Sequence, residues 1–281
     1  MKEYKMEWEQ TILFGKYLQR EERSSGTIQK YLRDVERFYR WLNGQAVSKE
    51  TTMGWKGQLL AQGLRPATVN SMLAALNTFL EMQGWTECRV KPLRLQKRIF
   101  REQERELNQK EYFRLLETAR IRQDERLLLI LQTICATGIR ISELKFITAE
   151  AVELGRAEVE CKGKLRCILL PRKLQLALKR YCQKNERRKG AVFLGQAGKP
   201  LSRTTIWRQM KGLCAEARVA PGKVFPHNLR HLFARTFYQM QHDIAKLADV
   251  LGHASIETTR IYIMESGQEH LKLVNQLPLL L

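Results

Sequence analysis

Apolar residues recur at helical spacing from Thr27 to Leu42, where Ile28, Tyr31, Leu32, Val35, Phe38 and Leu42 form one stripe and Lys30, Arg33, Arg37 and Arg40 fall on other faces. The pattern predicts an amphipathic helix. A second stripe (Val69, Met72, Leu73, Leu76, Phe79, Leu80) follows Pro66, a residue suited to a first helical turn, and stops at Gly84. With a further helix over Trp8 to Gln19, residues 1–86 read as a small all-helical domain. Its aromatic residues Trp8, Phe14, Phe38, Trp41 and Phe79 are expected in the core.

Residues 87–105 carry Pro92 and many basic side chains but little sustained periodicity, which reads as a linker or extended arm. Residues 106–281 read as a second domain. It opens with a helix capped by Asn108, with Glu111 three positions on. The strongly apolar RLLLILQTICATG then predicts a buried helix ended by Gly138, and Arg140 falls at the junction with the next helix. AVELGRAEVECKG and LRCILLP alternate enough to predict short strands meeting at Lys162, Gly163 and Lys164. The expected fold is mainly α with a small β-sheet.

Charge narrows the range of partners. Forty-nine Lys and Arg against 29 Asp and Glu give a formal charge of +20, a surface that attracts polyanions and whose affinity for DNA falls with salt as counterions are released. Ribosomal and membrane-surface proteins are also basic, so charge alone leaves the partner open. On the N-terminal helices, Lys30, Arg33, Thr68, Asn70 and Asn77 are the DNA-contact candidates, an ordinary solvated face being the alternative, and Lys164 in the second domain is a further DNA-contact candidate. No run approaches the ~18 apolar residues that span a bilayer, and MKEYKMEWEQ lacks the apolar segment of a signal peptide. A cytoplasmic location is expected. The six cysteines include no C-x-x-C pair and read as reduced thiols, not as a disulfide framework or zinc site.

The last third of the chain sets His227, Arg230, His253 and Tyr262 in the order H-x-x-R, L-G-H, Y. These residue types suit metal-free phosphodiester cleavage. A tyrosine can attack phosphorus, guanidinium groups can neutralise the non-bridging oxygens, and imidazoles can hold and relay protons. Arg140 in CATGIRISEL supplies a second guanidinium, and Lys162 and Lys164 in ECKGKLR can protonate a departing alcohol. Arg140 and Arg230 sit among apolar residues, where an unpaired guanidinium is costly and an anionic ligand relieves the cost. His227 and His231, one helical turn apart, have the spacing of a metal-binding pair, but H-x-x-x-H lacks the glutamate of H-E-x-x-H, and no metal is expected. Taken singly, a histidine after Leu-Gly or a half-buried tyrosine would be ordinary in any core.

Three strings together carry a family resemblance. Ala136 to Leu144 (ATGIRISEL), His227 to Ala234 (HNLRHLFA) and Leu251 to Tyr262 (LGHASIETTRIY) resemble the three boxes of the tyrosine recombinases, the phage integrases and Xer-type recombinases. The resemblance covers roughly residues 106–275 strongly and the N-terminal region by general pattern. It implies a SAM-like core-binding domain followed by a catalytic domain, with Arg140, Lys162, His227, Arg230, His253 and Tyr262 as the catalytic set and Tyr262 as nucleophile. Lys162 matches the lysine of the family's Gly-Lys-Gly turn, although Cys161 replaces the first glycine and Lys164 remains a rival. Met264 stands where many relatives carry a histidine.

The resemblance implies cleavage and rejoining of DNA through a 3′-phosphotyrosyl link. That link stores the phosphodiester energy, so no cofactor is expected, and GAVFLGQAGKPLS does not match a phosphate-binding G-x-x-x-x-G-K-[ST] loop. The partners implied are a double-stranded recombination site and further copies of the chain, a tetramer in the synapse. The stripe Leu271, Leu273, Val274 and Leu277, followed by Leu279 to Leu281, is the expected docking tail. A type IB topoisomerase and a recombinase-derived DNA-binding regulator are the alternatives.

Overall fold

The computed structural model describes residues 3–95, 105–161, 164–195, 198–253, 255–263 and 275, with 160, 161, 164, 165 and 263 described by backbone alone. The chain divides into two compact units, Met1–Lys97 and Arg98–Leu281.

The first unit is four helices, α1 (Trp8–Arg20), α2 (Ser25–Leu42), α3 (Lys49–Ala61) and α4 (Pro66–Met82). Each begin-and-end signal is local. Ser24 accepts from the Thr27 amide, Ser48 and Thr51 form a reciprocal cap, and Pro66 occupies the first turn of α4. Asn43 ends α2 in the left-handed conformation. Phe14, Phe38, Trp55 and Phe79 are buried to 1 % exposure or less and form the aromatic centre. Trp8 is 39 % exposed, however, and Trp41 only partly buried, so two of the aromatics expected in the core lie at its edge. Helix α3 is not foreshadowed by the hydrophobic pattern.

The stretch expected as a linker begins inside this unit. Thr86–Cys88 is a 3-10 turn, and Cys88 and Val90 are buried. Asn77 pairs with Val90 through both amide atoms at 2.8 and 3.0 Å, and Asn70 does the same with Leu93 at 2.9 and 2.7 Å. Two asparagines of α4 thus clamp the outgoing backbone.

The second unit runs α5 (Gln109–Ile121), α6 (Glu125–Thr137), a 3-10 turn (Ile141–Phe146), α7 (Ala149–Leu154), β1 (Arg156–Cys161), β2 (Lys164–Leu169), α8 (Arg172–Lys184), α9 (Arg203–Gly212), α10 (Pro226–Gln241), α11 (Ile244–Leu251) and α12 (Ile256–Ile263). Asn108 and Glu111 cap α5 reciprocally, as expected. The buried α6 packs against α5, α8 and α10. β1 and β2 form an antiparallel hairpin whose last pair is Cys161 with Lys164. The strand expected to start at Ala151 is instead the end of α7, capped by Thr148 and closed by Gly155 at φ +71°. A two-turn helix is too short to show a full helical period, so its alternation mimics a strand.

Candidate active site

Gly138 closes α6 at φ +63°, and a Cβ there would sit 2.4 Å from Cδ1 of Phe233 on α10. Only glycine permits this approach, and it sets the segment leading to Arg140 against the helix that carries His227 and Arg230. Pro226 starts α10 and places His227 in its first turn. Asp243 caps α11 through the amides of Ala245 and Lys246, and Gly252 ends it at φ +62°, which turns the chain so that His253 faces α10.

Arg230 is the buried centre of the site, 1 % exposed. It donates to the carbonyls of Gly138 and Leu251, the latter at 2.8 Å, and Nη2 lies 2.8 Å from Nε2 of His253. Nδ1 of His253 meets Oγ1 of the fully buried Thr259 at 2.8 Å. Tyr262, on the last turn of α12, is 5 % exposed. Its ring stacks on His253 at 5.4 Å between centroids and meets His231 at 4.4 Å and His227 at 5.6 Å. The guanidinium carbon of Arg230 lies 6.0 Å from the same ring centroid.

Arg140 does not sit unpaired in an apolar helix, as its sequence context suggests. It lies in extended backbone ahead of the 3-10 turn, and both its backbone N–H and Nη1 donate to Glu143, at 2.8 and 2.9 Å. The buried Glu143 carboxylate also accepts from Arg166 of β2 at 2.9 Å, and Arg166 reaches on to the carbonyl of Val250 at 2.8 Å. Sequence reasoning misses both Glu143 and Arg166. The E of ISEL is a signal within its box; Arg166 has none.

Electrostatics follow from this crowding of cations. Burial, then Arg230, Arg140, Arg166 and His227, depress the His253 pKa to about 4. His227 is lowered for the same reasons, by desolvation and then by Arg230 and Arg140. Desolvation and the Arg140 charge also bring the Arg230 guanidinium down to about 10. Both imidazoles are therefore neutral at neutral pH and add no repulsion to a cationic site, but the Nε2 of His253 is already taken by Arg230.

A cavity of about 890 Å³ opens beside these groups, lined among others by Arg140, Arg203, Thr204, Trp207, His227 and Arg230. It brings α9 to the site, which no motif in the sequence signals. Five of the six expected catalytic residues converge here. The sixth, Lys162, lies outside the described residues, as do the Lys164 side chain, Met264 and the leucine-rich tail residues Leu271, Leu273, Val274, Leu277 and Leu279 to Leu281.

In the first unit, Arg33 and Thr68 are exposed, but Lys30 bonds the buried Asp34 at 2.6 Å and the Ser71 carbonyl at 3.3 Å. With the Asn70 amide given to Leu93 and the Asn77 amide to Val90, three of the five polar-face candidates have structural work of their own. Among the described residues, no three His, Cys, Asp or Glu side chains converge as a metal ion would need, and no helix is long and apolar enough to cross a membrane.

Comparison with known proteins matches residues 105–269 to the phage integrase family and residues 12–85 to the phage integrase N-terminal SAM-like domain. The chain is 29 % identical over 269 residues to tyrosine recombinase XerA of Pyrococcus furiosus, covering 92 % of this chain and 90 % of that protein. It is 30 % identical over 262 residues to tyrosine recombinase XerC of Roseiflexus castenholzii, covering 85 % and 83 %. Among solved structures, the fold resembles a lambda integrase dimer bound to a COC′ core site, with a TM-score of 0.75 at 16 % identity over 95 % of this chain and 79 % of that one. XerH bound to its difH substrate gives a TM-score of 0.68 at 22 % identity over 89 % and 79 %.

Proposed function

The chain belongs to the phage integrase family of tyrosine recombinases, enzymes of site-specific DNA strand cleavage and rejoining, and on that premise we propose how its residues divide the reaction. Tyr262 attacks the scissile phosphorus and displaces the 5′-oxygen, leaving a 3′-phosphotyrosyl bond and a free 5′-hydroxyl. The phenol proton passes to His227, which is neutral near pH 7. Arg140 and Arg230 neutralise the charge that builds on the two non-bridging oxygens. Lys162 gives the 5′-oxygen its proton, with Lys164 as the alternative donor. Attack by another strand's 5′-hydroxyl reverses each transfer, so no external energy source is required.

His253 acts through its neighbours. Both its ring nitrogens are engaged, one with Arg230 and one with Thr259, so its contribution is to orient the guanidinium instead of carrying a proton. The single observation that carries the assignment is the packing of the Tyr262 ring among Arg230, His227 and His253 beside an open basic cavity. The DNA backbone enters that cavity, where Arg203, Thr204 and Trp207 of α9 meet it, and the exposed Arg33 and Thr68 of the first unit contact DNA separately.

Neither alternative class is favoured. A swivelling topoisomerase or a silent regulator fits poorly with relatives named as recombinases and with a complete nucleophile-and-cation set. Exchange between two duplexes calls for several active sites at once, and a lambda integrase tetramer on a Holliday junction shares this fold. The working unit is accordingly a homo-oligomer on DNA, a tetramer in the synapse, acting in the cytoplasm and joined through the leucine-rich tail. The outcome is integration, excision, inversion or dimer resolution. Sequencing the DNA covalently attached to the protein in cells yields its site, and a nicked duplex built on that site should trap an adduct whose modified peptide contains Tyr262. Modification at any other residue overturns the assignment.

A further inference from the structure

Arg166 lies outside the three sequence boxes, on β2, away from the elements that carry Arg140, His227, Arg230, His253 and Tyr262, and is mostly buried, its side chain 10 % exposed. Burying a guanidinium is costly unless its donors are met, and Arg166 meets that cost at its two terminal nitrogens, while its Nε is buried without a partner among the described residues. Here Nη1 bonds Glu143 and Nη2 bonds the carbonyl of Val250. Its aliphatic stem lies against Gly252, where a Cβ would come within 2.4 Å of Cδ. The left-handed Gly252 is thus the residue that both turns the chain into His253 and makes room for Arg166.

We infer that Arg166 is a positioning residue for strand cleavage, setting Arg140 through their shared carboxylate and bracing the turn before His253 through Val250. The carboxylate of Glu143 is divided between two guanidinium groups, Oε1 to Arg140 and Oε2 to Arg166, with Oε2 also receiving the Arg140 backbone N–H. Arg140 keeps 41 % of its side chain exposed and faces the cavity. With Arg166 in place, Glu143 is partly neutralised and holds Arg140 by one edge, leaving its other donors for an incoming phosphate. Without Arg166, the full negative charge of Glu143 competes with that phosphate for Arg140. An ordinary ion pair that only strengthened the fold would have no reason to include a cavity-lining arginine.

This inference rests on the reading of Arg140 as a phosphate donor, and the test separates the two. Cleavage of a nicked duplex is timed with either a normal scissile phosphate or a methylphosphonate, in which a methyl group replaces one non-bridging oxygen and removes the charge. Arg166→Met keeps the stem packing on Gly252 and removes the donors; Arg166→Lys retains a single cation and covers the case in which the Met variant does not fold. Each is compared with the parent protein and with Arg140→Ala on both substrates. On phosphate, Arg166→Met should be slowed roughly 10- to 100-fold and Arg166→Lys less, a share of what loss of a whole charge-stabilising donor costs. On methylphosphonate both should fall within about threefold of the parent, since the charge that Arg140 answers is gone. If Arg140→Ala recovers on methylphosphonate while folded Arg166 variants stay equally slow on both substrates, or are never slowed, the inference is overturned alone. If Arg140→Ala does not recover, the reading of Arg140 fails and takes the inference with it.

Discussion

The hydrogen bond from Arg230 to Nε2 of His253 fixes the tautomer of the imidazole, because a guanidinium can only donate. Nε2 accepts, so the ring proton sits on Nδ1 and points at Oγ1 of Thr259. A second proton on this ring would have to displace Arg230, which agrees with a pKa depressed to about 4.

That depression makes stability pH-dependent in a defined direction. The folded His253 binds a proton less readily than the unfolded one, whose pKa is ~6.5. Its contribution is therefore complete above pH ~6.5 and is lost as pH falls from there towards 4, by about 1–2 kcal/mol after allowing for solvent screening. His227 adds in the same sense. Thermal unfolding of the parent should drop between pH 7 and 5, and His253→Gln should flatten part of that slope. An unchanged slope in the variant would place the titrating group elsewhere.

Tyr262→Phe removes one hydroxyl from a ring whose packing is aromatic on several sides. DNA affinity and melting temperature should stay close to the parent while the covalent adduct on a denaturing gel disappears. A persistent adduct would move the nucleophile to another residue.

Arg140 and Arg230 should part company on substitution by lysine. Both changes should slow cleavage by ~10²-fold or more, since a point charge cannot replace the paired planar donors. Only Arg230→Lys should also destabilise, by about 2–3 kcal/mol or roughly 5–10 °C, because it strands the buried Gly138 and Leu251 carbonyls. Calorimetry beside single-turnover cleavage reads both effects; equal melting temperatures for the two variants would count against the buried anchoring role.

In the first unit, Asn70→Ala should cost about 1–2 kcal/mol through the two lost bonds to Leu93, with little change in the salt dependence of DNA binding. Arg33→Ala should do the reverse, lowering the log–log salt slope by ~1 with little effect on melting. Titrations at several salt concentrations decide between them.

For the lysines, a substrate with sulfur at the 5′-bridging position should rescue Lys162→Ala, since a thiolate leaves without a proton. Rescue of Lys164→Ala instead would shift the acid two residues along.

How far the sequence reaches depends on how local the cause is. The stripes of α2 and α4 and the cap of α5 arise from neighbours three or four residues apart and are readable directly. Helix α3 escapes because Gly54 and Gly57 interrupt it, and Met53 and Leu60 are exposed while Trp55 and Leu59 are buried, which blurs the stripe. The three boxes mark most of the site, but not what holds it. Glu143 meets Arg166 across 23 residues and Arg166 meets Val250 across 84, pairings that only folding brings together. Asn70 and Asn77 mislead in the same way: polar residues on a helix face look solvated until the chain returns to use them.

Tyr262 is 5 % exposed, and on the proposed assignment that shielding separates residence on DNA from damage to it. A cation of this strength binds any duplex it encounters, so indiscriminate contact is the protein's ordinary condition. If Tyr262 is the nucleophile, its phenol, packed against His227, His231 and His253, reaches a backbone phosphate only when those neighbours yield, a rearrangement that the full set of contacts at a correct site would have to drive. Patrolling the genome and nicking it thereby become separate events, and the density of positive charge that speeds the search carries no matching burden of stray breaks.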